Sequence, residues 1–301
     1  HVLIIADIEG SSGCWSRRGS VFFTREWYRA CLEMTRDVDA LSKALFDAGV
    51  EKVTVKDFHR TGYNVIASEL DPRVHLISGY KRGPIPGIGA DPGASVAMFT
   101  GMHAASGGGG FIPHTLTSRV ARLQVNGRIC PEVELFASSL AGFDVHPSFF
   151  SGCPEACKQA EASIPGIRCY SIDKTGQECD FDPVDWREGL GREAVCSLTN
   201  PDLPRPFLPD GPFETVMTMR GGKNAAEKIA GRWGFACDGA NIFFEAPDIA
   251  NLYMNLIRAC YLTPVVERLL PAGILHLHNV FGRMGLEIAR RYYSISAESG
   301  F

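Results

Sequence analysis

The chain has 301 residues, of which 45% are hydrophobic and 21% charged, and its formal net charge is -4 at pH 7. This composition is typical of a globular protein with enough apolar material for one large core or two smaller ones. A long Lys/Arg stripe and an apolar run of ~20 residues are both missing, which argues against a nucleic-acid partner and against a membrane span. Because the chain opens directly on a strand rather than on a leader, we expect a cytoplasmic protein.

The first 57 residues predict a strand, a long helix and a second strand. The apolar run at 2–7 is typical of a strand that is buried on both faces. Thr24 is suited to cap the start of the helix, apolar residues then recur every three to four positions, and Gly49 is suited to its end. A strand at 52–56 follows, so the segment is a βαβ unit with two parallel strands.

The next hundred residues continue the sheet. The segment 79–93 holds three prolines and repeated glycines, which predicts a loop that folds over the rim. A strand is expected at 95–102, and Asn126-Gly127 between alternating residues indicates a hairpin. We expect a strand at about 144–150 to complete this first sheet.

The pattern changes beyond about residue 160, where shorter strands alternate with proline-rich connections. We therefore predict an α/β fold whose N-terminal, mostly parallel sheet is flanked by helices, followed by a second, smaller α+β domain. The second domain should end in a helical tail. The predicted boundaries are 1–160 for the metal-binding catalytic domain and 161–301 for the second domain, with strands near 168–172, 213–219 and 240–245 and a helix at 248–262.

Acidic and imidazole side chains stand where the apolar runs of the first half end. Asp7 and Glu9 follow the first run, His59 the second and His103 the third. Ligands of open α/β sheets bind outside the carboxyl ends of the strands, so these residues should converge on one crevice. Each alone has a structural interpretation, but their joint placement favours a metal site. Oxygen and imidazole donors without thiolates favour Zn²⁺, Mn²⁺ or Co²⁺.

Other motifs point to structure rather than to chemistry. His276 and His278 form a His-x-His pair, but no further ligand candidates surround them in sequence. Cys153 and Cys157 have helical spacing without a matching second pair, which favours packing. The segment 10–13 lacks the G-x-S-x-G spacing of a serine hydrolase, and the glycines at 87–93 lack the context of a nucleotide-binding fingerprint.

Five short motifs in order carry a resemblance to a known family. Over roughly the first 150 residues the chain resembles the M55 family of zinc-dependent D-aminopeptidases, and the tail after about residue 264 lies outside that resemblance. The motifs are Asp7-Ile8-Glu9-Gly10, Asp57-Phe58-His59, Gly101-Met102-His103-Ala104, Pro113-His114-Thr115, and Glu132 shortly after Asn126-Gly127.

The resemblance implies two zinc ions, with one ligand shared and two further ligands for each ion. Asp7 would be the shared ligand, Glu9 and His59 would complete one site, and His114 would be the catalytic residue. The second site would be completed by His103 and Glu132. Glu134 is the alternative to Glu132, because both would lie on the same face of an extended stretch.

The implied activity is that of a dinuclear zinc aminopeptidase that removes N-terminal residues, D-amino acids in particular, from short peptides or amino-acid amides. The ions would lower the pKa of a water and polarise the amide carbonyl. Whether His114 stabilises the oxyanion, transfers a proton or attacks as a nucleophile stays open. The alternatives are a dinuclear metallohydrolase of another amide or a phosphoester, and a non-catalytic peptide- or metal-binding protein. The family commonly forms rings of identical chains, so a ring-shaped homo-oligomer is expected.

Overall fold

A computed structural model of the protein describes residues 1–199 and 202–298. Two sheets organise it, one parallel and one antiparallel. The strands, in chain order, are β1 (Val2–Ala6), β2 (Val53–Asp57), β3 (His75–Ile77), β4 (Val96–Met102), β5 (Val120–Val125), β6 (Arg128–Ile129), β7 (His146–Gly152), β8 (Arg168–Ser171), β9 (Phe213–Met219), β10 (Ala236–Asp238) and β11 (Asn241–Ala246).

The helices flank the sheets and extend the chain at its C-terminal end. The longest are the first and the last, and a kink at Gly273, with φ of 95°, precedes the last. In chain order they are α1 (Arg25–Asp47), α2 (Glu132–Ala141), α3 (Pro154–Ser163), α4 (Pro183–Leu198), α5 (Gly222–Trp233), α6 (Ile249–Tyr261), α7 (Pro264–Leu269) and α8 (Leu275–Glu298).

The larger sheet has the strand order β3-β2-β1-β4-β7-β8, and every neighbouring pair is parallel. β1 lies at its centre and is buried along its whole length. Leu3 and Ile5 point into one hydrophobic core and Val2 and Ile4 into the other, which also contains the apolar face of α1. Burial on both faces explains why β1 is a continuous apolar run rather than an alternating one. The mixed α/β fold with a parallel sheet is confirmed.

The smaller sheet is antiparallel, with the strand order β10-β11-β9-β5-β6. The hairpin between β5 and β6 turns at Asn126 and Gly127, whose φ values are 49° and 76°. Two left-handed residues in sequence form the turn that fits the twist of a two-residue hairpin. The hairpin expected from the sequence is therefore confirmed.

The expectation that the strand near 144–150 completes the first sheet is wrong. β8, which was placed in the second domain, pairs in parallel with β7 and forms the edge of the larger sheet. Conversely β5, from the first half of the chain, pairs with β9 in the smaller sheet. Each sheet thus contains strands from both sides of residue 160. The division into 1–160 and 161–301 stays a prediction about folding units.

Helix α1 begins and ends as its sequence indicates. The Thr24 side chain accepts a hydrogen bond from the backbone N–H of Trp27, and Gly49, with φ of 90°, follows the last turn. None of the described helices is both long and apolar enough to cross a bilayer.

Candidate metal centre

Three neighbouring strands bring the candidate ligands together. β2, β1 and β4 lie side by side and run in the same direction, so their carboxyl ends share one edge of the sheet. Asp7 follows β1, His59 lies two residues beyond β2, and His103 follows β4. Each of these side chains is at least nine-tenths buried. The convergence expected from the sequence is present.

Two glycines allow the loop after β1 to lie directly against β4. A Cβ on Gly10 would lie 2.1 Å from the carbonyl oxygen of Met102, and a Cβ on Gly101 would lie 2.0 Å from that of Asp7. Gly101 also has φ of 72°, a conformation that favours glycine. The glycines in D-x-E-G and G-x-H-A are therefore needed for the close backbone approach that places Asp7 beside His103.

The first group of donors consists of Asp7, Glu9 and His59, each of which offers one ligand atom within 4.8 Å of the others. His59 Nε2 lies 3.5 Å from Glu9 Oε1. The same Glu9 oxygen lies 3.9 Å from Nε2 of His114, which belongs to the second group.

The second group consists of His103, His114 and Glu132. His103 Nε2 lies 3.7 Å from Glu132 Oε2 and 3.3 Å from Asp7 Oδ2. Asp7 is therefore a member of the first group that also contacts the second. A side chain in this position is the one expected to be shared between two ions.

All three imidazoles present the same nitrogen to the carboxylates. Nδ1 of His103 lies 3.1 Å from the carbonyl oxygen of Ala104, and Nδ1 of His114 lies 3.0 Å from that of Ile112. Because a carbonyl oxygen only accepts, Nδ1 carries a hydrogen in each ring, and Nε2 is the nitrogen that faces the carboxylates. Metal-binding histidines are oriented by the same kind of outer hydrogen bond.

His59 is oriented by a buried amide. Its Nδ1 lies 3.1 Å from Asn64 Oδ1, an oxygen that also accepts from Trp27 Nε1. The Asn64 amide nitrogen donates in turn to Asp57 Oδ1 at 2.8 Å and to the His59 carbonyl at 2.7 Å. Asn64 is a supporting residue that the sequence analysis did not identify. It lies seven residues after the buried Asp57, a spacing that becomes informative only when the loop after β2 is seen to fold back onto the end of that strand.

Burial raises the pKa of two of the three carboxyl groups, whereas the facing imidazoles lower that of the third. It raises the pKa of Asp7, and the negative charge of Glu9 acts in the same direction. Burial raises the pKa of Glu132 to about 7. Burial by itself would raise the pKa of Glu9 too, but the facing imidazoles, His59 above all, hold this pKa well below its usual value.

The pKa values of the three imidazoles shift in different directions because different charged groups face each ring. Burial opposes the charged form of each ring, yet the facing carboxylates raise the pKa of His59 and hold that of His103 well above its ordinary value. Burial and the neighbouring His103 lower the pKa of His114 to about 4. Three carboxyl groups and three imidazoles thus share protons in a buried cluster, and bound cations would take the place of those protons.

The residues present fit a pair of divalent cations. Glu9 Oε2 and His59 Nε2 are buried without a hydrogen-bond partner, which is costly unless another group binds them. In a tetrahedral site with bonds of ~2.0–2.1 Å, two ligand atoms lie about 3.3 Å apart, close to the shortest nitrogen–oxygen distances here. The donor set of carboxylates and imidazoles is one that Zn²⁺ accepts.

The structure separates Glu132 from Glu134. Glu132 Oε2 faces His103, while Oε1 accepts from the backbone N–H of Leu116 at 2.6 Å. Glu134 instead accepts from Ser163 Oγ at 2.6 Å and lies outside both groups. The extended stretch expected at these positions is wrong, because both residues lie in the first turn of α2. Residues two apart on a helix point in different directions, so only Glu132 reaches the cluster.

A buried ion pair fixes the loop that follows Glu9. Asp37, on α1, accepts from the backbone N–H and the hydroxyl of Ser12 at 2.8 and 2.6 Å. Arg187, on α4, donates to Asp37 at 2.8 Å and also bonds Glu33. The loop carrying Glu9 is thereby attached to two helices.

The motifs interpreted as structural lie outside both donor groups. Cys153 and Cys157 are buried at the start of α3, and His276 and His278 lie on α8. No cysteine and neither of these two histidines joins the groups of potential metal ligands among the described residues.

Fold and donor cluster together define a mixed α/β protein with a candidate two-ion centre at the carboxyl edge of a parallel sheet. The model of the M55 peptidase family, described as D-aminopeptidase, matches residues 1–256, and the chain belongs to this family. The match extends well beyond the 150 residues over which the motifs indicate it, and it ends before α7.

A solved structure with a similar fold is the Zn-dependent D-aminopeptidase DppA from Bacillus subtilis, a self-compartmentalizing protease. The TM-score is 0.77, the sequence identity is 24%, and the alignment covers 86% of this chain and 96% of that chain. At this identity the similarity establishes the fold. The comparison with curated proteins finds no match.

Proposed function

We propose that the protein is a zinc-dependent aminopeptidase that binds two ions and removes N-terminal D-amino acids from short peptides or amino-acid amides. The observation that carries the proposal is the pair of donor groups that meet at Asp7. Asp7, Glu9 and His59 would hold one ion, and His103 and Glu132, with Asp7 shared, the other. Mn²⁺ and Co²⁺ suit the same donors.

Bound zinc would supply a Lewis acid for the amide carbonyl and a water of lowered pKa. The chain's own contribution is the placement of His114 beside this centre. Its ring is fixed by the Ile112 carbonyl, and its Nε2 faces the cluster with a lone pair. His114 is also the most exposed of the six side chains, at 14%, so it lies where a substrate would enter. It can accept a proton there and return it to the leaving amine.

The finer parts of the proposal rest on the family and the related fold. The family description and DppA both refer to D-aminopeptidases, which supports D-amino acid substrates. The self-compartmentalizing assembly of DppA supports a ring of identical chains for this protein as well. A location in the cytoplasm belongs to the same proposal.

The test is a substrate panel with the zinc-loaded protein. D-Ala amide and a D-Ala dipeptide are compared with their L-counterparts and with a phosphodiester, and released amine or phosphate is measured. Release of amine from the D-substrates, abolished by a chelator and restored by Zn²⁺, supports the proposal. Hydrolysis of only the phosphodiester would refute it, and turnover of L-substrates alone would remove the D-preference.

Metal analysis separates the enzyme from a non-catalytic binding protein of the same fold. The proposal expects two zinc ions per chain in the wild type. It also expects that Asp7→Asn removes most of both, because Asp7 contacts both groups. A chain that holds two ions and hydrolyses none of the substrates would be a binding protein.

A further inference from the structure

Helix α8 has more apolar surface than its packing on the rest of the chain uses. Its inner face is formed by small or buried residues, Gly282, Gly285 and Ala289, which lie against the body of the protein. A Cβ on Gly282 would lie 2.7 Å from the Tyr63 ring, and one on Gly285 would lie 2.3 Å from the Phe22 ring. The helix is thus held closely on this side, and its orientation is fixed.

A second row of apolar side chains on α8 is largely exposed, although Phe281 in this row also contacts Phe22 and Phe23, with ring centroids 5.5 and 6.4 Å apart. These residues are spaced three or four apart and so lie on one side of the helix. Each is between 53% and 68% exposed. We call this row the outer stripe; it consists of Leu277, Phe281, Met284, Ile288 and Tyr292.

The apolar area of the outer stripe is large enough to form much of an interface between two chains. Large side chains exposed to this extent present together on the order of 600 Å² of apolar surface, near the ~800 Å² that each partner buries in a standard interface. This area is at the upper end of the ~300–600 Å² that the largest apolar patches of monomeric proteins present. Val265 and Leu269 on the preceding helix α7 are also 64% and 45% exposed.

A groove runs beside the stripe. Its volume is about 640 Å³, and it lies between α8 and the segment 63–68. Met284 and Ile288 of the stripe form part of one wall, and Tyr63 and Ile66 form part of the other. Charged side chains also line the groove, namely Arg283, Glu287, Arg290 and Arg291, so a copy of α8 that lies on the stripe would meet both apolar and charged groups there.

The order of residues in the stripe favours a two-fold pairing. Phe281 and Ile288 are equally far from the midpoint between Met284 and Gly285, and so are Leu277 and Tyr292. When two α8 helices cross antiparallel at this midpoint, each member of a pair faces the other member on the partner. An isologous interface needs a patch that is complementary to itself in this way.

We propose that the outer stripe of α8 is the contact between two copies of this chain, related by a two-fold axis near Met284. The contact uses a helix that lies beyond the residues matched by the family model. It does not depend on the proposed catalytic activity. It is also independent of any further surface by which such pairs would join into a ring.

The test measures the mass of the full-length zinc-loaded protein by light scattering and sedimentation. The wild type should contain an even number of chains. Replacing Leu277→Glu together with Tyr292→Glu places four carboxylates across the proposed contact and should halve the mass. The matched control is Val184→Glu with Leu208→Glu, two residues that are 62% and 60% exposed elsewhere on the surface; it should keep the wild-type mass.

A charge exchange tests the antiparallel geometry. Leu277→Lys combined with Tyr292→Glu pairs opposite charges only if residue 277 of one copy faces residue 292 of the other. This variant should retain more of the paired form than the double glutamate variant, with a recovery that weakens at high salt. Because all substituted side chains are exposed, circular dichroism should report the same fold in every variant.

A wild type that is monomeric at tens of micromolar would overturn the proposal. So would a double glutamate variant that keeps the wild-type mass while remaining folded. Equal loss of pairing in the charge-exchange variant and the double glutamate variant would overturn the antiparallel arrangement. Peptidase activity is a separate readout, and its failure in the wild type would bear on the proposed function alone.

Discussion

The rings of His103 and His114 lie parallel, with centroids 3.8 Å apart and planes inclined by 9°. The two histidines lie on different structural elements, since His103 directly follows β4 and His114 lies in the loop beyond it. The stacking places a non-strand residue against the ligand candidates at the strand ends. It also allows His114 either to bind an ion with His103 and Glu132 or to act on substrate beside the ions.

The substitution His114→Ala separates these two roles. If His114 acts on substrate, kcat should fall by about 10²–10⁴-fold while the protein still binds two zinc ions. The measurement combines single-substrate kinetics with metal analysis of the same preparation. Loss of one ion from this variant would instead make His114 a ligand, and full activity would remove it from the mechanism.

The pair Glu132→Gln and Glu134→Gln tests which glutamate belongs to the centre. Glu132 faces His103, whereas Glu134 is bonded to Ser163. Glu132→Gln should lower the zinc content or affinity of one site by at least tenfold, and Glu134→Gln should leave both sites intact. Competition with a chromophoric chelator measures both, and the opposite order of effects would contradict the placement.

This pair also shows where sequence reasoning ends. The sequence indicated the strands before Asp7, His59 and His103 because strands buried on both faces are rich in consecutive apolar residues. It did not separate Glu132 from Glu134, because the choice depends on whether the segment after the hairpin is extended or helical. The membership of β8 in the larger sheet was also beyond it, since a four-residue strand has the same local pattern in either sheet.

The amide of Asn64 should control the affinity of the site that contains His59. Asn64→Ala removes the acceptor that fixes His59 Nδ1 and leaves Asp57 with fewer donors. Loss of such an outer hydrogen bond typically reduces metal affinity by about 10–100-fold. Zinc titration should show this loss at one site, with the site of His103 as internal control. An affinity at the His59 site that is unchanged from the wild type would contradict the supporting role.

The burial of Lys56 predicts that the folded protein becomes more stable as the pH rises. Its side chain is fully buried, its ammonium donates to the Gly79 carbonyl, and it lies 4.7 Å from the centre of the Tyr80 ring. Burial lowers its pKa to about 8 from the ordinary 10.5. Between these values the unfolded chain binds the proton and the folded chain does not, so the free energy of unfolding should increase as the pH rises from 8 to 10.

The control for this effect is Lys56→Met, which keeps the volume and removes the titration. Urea unfolding at pH 7.5 and 9.5 gives the stability of both proteins, and the wild type should gain relative to the variant at the higher pH. The shift corresponds to a gain on the order of 3 kcal/mol when complete. A difference that does not change with pH would mean that the folded and unfolded states hold this proton equally well.

Gly282 tests whether α8 supports the loop that follows His59. Gly282→Ala places a Cβ 2.7 Å from Tyr63 and 2.8 Å from Thr61, so either the helix or the loop 59–63 must move. We expect a loss of about 1–3 kcal/mol in stability and weaker zinc binding at the site of His59.

Gly231→Ala on α5 is the matched control, because its Cβ would meet nothing within 4 Å; it should stabilise by up to about 1 kcal/mol. Thermal unfolding with and without zinc measures both variants. If Gly282→Ala behaves like the control, α8 contacts the loop without constraining it, and the position of His59 does not depend on α8.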